Sequence, residues 1–169
     1  MNWQPGEILL VVTDGGRYNE VVQELAQTVD AHPGRGVLIA ANRPHAALAS
    51  ALSQSLDYVD CISGLTGFMP PNQPGVIYIE SPTMLEKAAL RAEQMLRRME
   101  DPAGLIVDSL STLAMYNDAD TVAELAHNLI TRLRTRNIGA ALIVVDGTGG
   151  GLIDALAPYC DRQTRVRSG

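Results

Sequence analysis

Several residue types are scarce in this sequence of 169 residues, and each scarcity excludes something. There is one Trp and one Phe, so any core must be built from Leu, Ile, Val and Ala. Of 13 basic residues only Lys87 is a lysine. Acidic residues outnumber basic ones, for a net charge of −6, which leaves no general attraction for nucleic-acid backbones or anionic lipid. The two cysteines, Cys61 and Cys160, form neither a CxxC nor a Cys/His pattern, and predict free thiols in a reducing compartment rather than a disulfide or metal site. No apolar run exceeds strand length, and Met1–Pro5 is too short and polar for a signal peptide. The expectation is a soluble, cytoplasmic protein with no membrane and no nucleic-acid partner.

What is present is a steady alternation of short apolar runs and helical periods. Apolar residues make up 46% and charged residues 19%, the balance of a folded chain. Strands are predicted at Gly6–Val12, Gly36–Ala41, Tyr58–Ser63, Val76–Glu80, Gly104–Asp108 and Ala140–Asp146, with an edge strand at Gln163–Val166. Helices are predicted at about Tyr18–Ala31, Pro44–Ser55, from Ser81-Pro82 to Asp101, Thr121–Arg136, and after Gly151 to Pro158. Ser81 reads as a cap with Pro82 at the first helical position, and Thr121 and Glu124 have capping-box spacing. Near-continuous apolar strands separated by helices predict a three-layer α/β/α domain with a mostly parallel central sheet, a single domain over residues 1–169.

Ligands of such sheets bind beyond the carboxyl ends of the strands, and four predicted strands end in polar residues. These are Thr13-Asp14, Asn42-Arg43, Asp108-Ser109 and Asp146. The segment GLIVDSLSTLAMYND, residues 104–118, resembles the Walker B strand of RecA/KaiC-like ATPases, in which an Asp at the strand tip helps hold Mg²⁺ through water. SPTMLEKA before it, and the long helix ending LRTRN with the strand ALIVV after it, follow the order of archaeal-type KaiC-related proteins over most of residues 6–166. The resemblance implies a RecA/KaiC-like core.

The departures from that family carry the functional expectation. Triphosphate binding there needs G-x-x-x-x-G-K-[ST] after the first strand, a loop whose amides cradle phosphate and whose lysine reaches it. The matching stretch reads TDGGRYNEV, with Asp14 where an anion would approach, and with Gly15, Gly16 and Arg17 but no lysine. Lys87 falls in a later helix, and a guanidinium does not replace an ammonium in a tight cradle. The family's pair of acidic residues at the second strand is replaced by Ala40-Ala41-Asn42. The resemblance with these departures implies a non-catalytic domain, without ATPase activity or cofactor, working as a scaffold, regulator or signalling protein through a protein partner or self-association.

Two other readings stay open. The turns at Thr13–Gly16 and Gly147–Gly151 could hold a nucleotide or other anion without turnover, with Asp14, Gly15, Gly16, Arg17, Asp108, Ser109 and Asp146 as the ligand-binding set. Alternatively Asp14, Asp108 and Asp146 could form a Mg²⁺ site in a small enzyme of another family. Against both stands a plainer role, in which Asp108 ends a strand and Ser109 caps the next turn. Glu80 and Asp146 could face one another across strand tips. His127 reads as solvent-facing, and Arg132, Arg134 and Arg136 as cations solvating a helix end. The Gly64–Gly75 loop, with three prolines and three glycines, carries Leu65, Phe68 and Met69, which are either an interface or a lid over the core.

Overall fold

A computed structural model describes residues 1–148 and 151–169. Seven strands form one sheet: β1 (Ile8–Thr13), β2 (Gly36–Ala40), β3 (Leu56–Asp60), β4 (Val76–Tyr78), β5 (Gly104–Asp108), β6 (Ala140–Val145) and β7 (Arg162–Val166). Their order is β4-β3-β2-β5-β6-β1-β7, and every strand pairing is parallel. Six helices connect them: α1 (Tyr18–Asp30), α2 (His45–Ala49), α3 (Leu85–Arg98), α4 (Leu110–Tyr116), α5 (Ala119–Arg134) and α6 (Leu152–Leu156).

Alternation along the strands sorts the core into two layers. Ile8, Leu10, Val12, Leu105 and Val107 face α3, α4, α5 and α6; Leu9, Val11, Leu38, Ile106 and Ile143 face α1 and α2. The expected α/β/α architecture is therefore what forms, since a parallel sheet must be covered on both faces. Val21, Val22, Leu25 and Val29 form the buried stripe of α1, and Val122, Ala126, Leu129, Ile130 and Leu133 that of α5. Where α3 meets α5, buried Glu93 accepts from Arg132 at 2.5 Å, so Arg132 is a tie between helices and not only a solvated helix end. Arg134 similarly bonds Asp161 and the Tyr159 carbonyl. His127 lies half-buried with its ring 4.2 Å from that of Tyr159, not free in solvent.

The single tryptophan closes the amino end of the sheet. Trp3 is 4% exposed, its indole N–H donates to the Glu7 carbonyl, and its ring lies over Gly104. A Cβ on Gly104 would come within 2.7 Å of that ring, and its φ of 143° disfavours any other residue.

Several boundaries differ from expectation. The Pro44–Ser55 helix shrinks to α2, because only Leu48 is buried and half-buried Leu52 lies beyond its end. The third strand starts earlier, at Leu56, and ends at Asp60. Ser81 does not cap a helix: its Oγ accepts from Thr83 N in a local turn, and α3 begins at Leu85. The Thr121/Glu124 capping box is not made either, since α5 starts two residues earlier, after Asp118. The sequence reading also passed over α4.

Candidate functional site at the carboxyl ends of the strands

All the candidate aspartates lie at this end of the sheet, but they are not gathered. At the β1 tip the Thr13–Arg17 turn closes on its own side chain. Asp14 Oδ1 accepts from Arg17 N at 2.9 Å and from Ser168 Oγ at 3.1 Å, while Oδ2 accepts from Ser168 N at 2.5 Å. The Ser168 amide, with help from those of Arg17 and Gly16, holds this carboxyl below the usual range. A carboxylate thus sits on the amides that an incoming anion would need. Arg17 turns along α1 instead, with Nε 2.7 Å from Glu20 Oε2 in an ion pair lacking hydrogen-bond angles.

Asp146, at the β6 tip, is also taken. Its amide donates to Thr13 O at 2.7 Å, and its carboxylate meets Arg167 at 2.8 Å and Arg165 at 3.5 Å. The end of β7 and the residues following it therefore bind both tips, Ser168 on Asp14 and Arg165 and Arg167 on Asp146. Arg165 and Arg167, two apart in RVRS, were a readable sign of side chains on one face.

Asp108 is different. It is fully buried, and neither carboxylate oxygen has a hydrogen-bond partner among the described residues. Desolvation pushes its carboxyl up to about 7. The peptide bond to Ser109 is cis. Ser109 caps α4, its Oγ accepting from Thr112 N at 3.2 Å, as the plainer reading anticipated. Register sets Asp108 beside Ile143, three residues short of Asp146, or about 10 Å along the strand. No group of three or more metal-ligating side chains exists among the described residues. Glu80 and Asp146 lie just past the ends of β4 and β6, strands separated by β3, β2 and β5, roughly 19 Å across, so they do not face one another. Glu80 instead pairs with Lys87 at 2.6 Å, and that ammonium draws its carboxyl down. The Gly147–Gly151 turn includes residues 149 and 150, which lie outside the described residues.

The sequence reading missed Asp60, at the β3 tip. It is buried and accepts from His45 N, Ile62 N, Ser63 N and Ser63 Oγ at 2.6 to 2.9 Å. One carboxylate thereby fastens the start of α2 and the 3-10 turn Ser63–Thr66. Leu65, Phe68 and Met69 follow, exposed by 48%, 72% and 41%, which removes the lid over the core. Cys61 and Cys160 are free thiols, pushed by burial up to about 12 and 11.

A family model described as a family of unknown function, DUF7504, matches residues 5–166. The chain belongs to that family. No curated protein matches it. Among solved structures, a KaiC-like protein from the hyperthermophilic archaeon Pyrococcus horikoshii OT3 superimposes with a TM-score of 0.68. The match has 9% identity and covers 98% of this chain and 73% of the other. At that identity the likeness is one of fold: this DUF7504 chain has a KaiC-like core. No helix among its described residues is long and apolar enough to cross a membrane.

Proposed function

We propose that this DUF7504 chain is a non-catalytic KaiC-like domain acting through protein–protein contact. One observation carries the reading: the Asp14 carboxylate occupies the Arg17 amide of its own turn and the Ser168 amide beside it. A polyphosphate approaching there meets a fixed negative charge, donors already bonded and no ammonium. Lys87, the only lysine, is committed to Glu80 on the opposite flank of the sheet.

The test is phosphate release from ATP with Mg²⁺, followed beside calorimetry with ATP and ADP. The expected outcome is release at the buffer rate and no binding heat. Saturable release that Asp108→Asn removes would overturn the proposal. Micromolar binding without release would shift it to a nucleotide-holding module.

A further inference from the structure

Six of the eight large apolar side chains exposed among the described residues gather in one region at the carboxyl end of the sheet. They are Leu65, Phe68, Met69, Met84, Met115 and Tyr116. Three segments bring them together. The 3-10 turn backs directly onto the β4 exit: a Cβ on Gly64 would lie 2.4 Å from the Glu80 carbonyl. The end of α4 is tied to the segment before α3 by Asn117 Nδ2, which donates to Pro82 O at 3.0 Å. Residues 61–79 and 109–117 contain no charged side chain, and Glu80 beside them is neutralised by Lys87.

Resting on the protein-contact reading above, we infer that this patch binds a second copy of this chain about a two-fold axis. Three observations select that occupant. A chain of net charge −6 repels its own copy, and the contact that minimises the repulsion is a face poor in charge, with Glu86, Asp118 and Asp120 only at its margin. A charged partner would find nothing here to steer it. The area is also sufficient: at about 200 Å² for a large side chain, the exposed fractions amount to roughly 650 Å² per copy, or about 1,300 Å² for the pair, at the lower end of the range of specific interfaces. Finally, the contact is made by side chains and not by strand addition, because the chain covers its own β4 edge. Gln73 and Val76 exchange backbone hydrogen bonds, and Asn72 Oδ1 accepts from Tyr78 N. Three methionines with Phe68 and Tyr116 suit an isologous contact in which thioethers meet rings.

Sedimentation equilibrium of the full chain tests this, with the double substitution Phe68→Asp and Met115→Asp and the control Leu90→Asp on α3. The expected result is a species of twice 18.1 kDa that the double variant weakens by roughly 100-fold while the control leaves it intact. Unchanged circular-dichroism melting of the monomer shows that the variant is folded. Wild-type protein that stays monomeric up to about 100 µM overturns the inference, as does a dimer indifferent to the double substitution. Neither result touches the protein-contact reading, which fails separately if ATP is hydrolysed. A monomer inert toward ATP would instead leave the patch to a different protein.

Discussion

Asp60 and Asp108 are both buried aspartates at strand tips, on the same face of the sheet, yet their surroundings are opposite. Asp60 collects four donors; Asp108 has none. A carboxyl can leave water by accepting hydrogen bonds or by keeping its proton, and these two aspartates take one solution each. The first ties segments together and the second ties nothing. Asp14 is a third case, a half-buried carboxylate bonded to amides that water could serve almost as well.

Substitution should separate the three, beginning with Asp60. Asp60→Ala leaves the amides of His45, Ile62 and Ser63 without their acceptor. It should cost about 3–5 kcal/mol in urea unfolding, with Asp60→Glu failing to restore the loss. A cost near 1 kcal/mol would mean that water replaces the carboxylate, and the contrast with Asp108 would collapse.

Asp108→Asn should act in the other direction and depend on pH. The folded state keeps the Asp108 proton up to about pH 7, while the unfolded chain releases it near 3.8. Between these values the native state binds the extra proton, so its stability falls as pH rises through the window and levels off above it. Asn, which carries no charge at any pH, avoids that loss. The variant should therefore match wild type near pH 4 and exceed it by roughly 3–4 kcal/mol at pH 8. Urea midpoints at four or five pH values would show it, and a gap of constant size would refute it.

The smallest effect belongs to Asp14→Ala. Melting should move by no more than about 4 °C, while amide exchange at Arg17 and Ser168 accelerates. A larger shift would show that the link between the first turn and the chain's last residues supports the whole fold.

The architecture was readable wherever a pattern was long. GLIVD and ALIVV stand out as buried strands, and the stripes of α1 and α5 have three- and four-residue spacing over three or more turns. Short elements escaped for physical reasons. α4 has seven residues, about two turns, too few to show a helical period after the strand ends at Asp108. The sequence extends α2 too far because ALSQS, residues 51–55, continues the helical composition past the point where burial ends. Of the candidate site, the closed turn could be suspected from Asp14, but its closure needs Ser168, which is 154 residues away. Asp60 gave little warning, since three of the four donors it satisfies are backbone amides, and those are the same in every sequence.

Having one indole makes the protein its own optical gauge. Trp3 rests on Gly104, four residues from the protonated carboxyl on the same strand, and is shielded from water. Opening of the central strand would therefore wet that ring and move its emission to longer wavelength. An unlabelled sample can report how firmly the middle of the sheet holds at each pH.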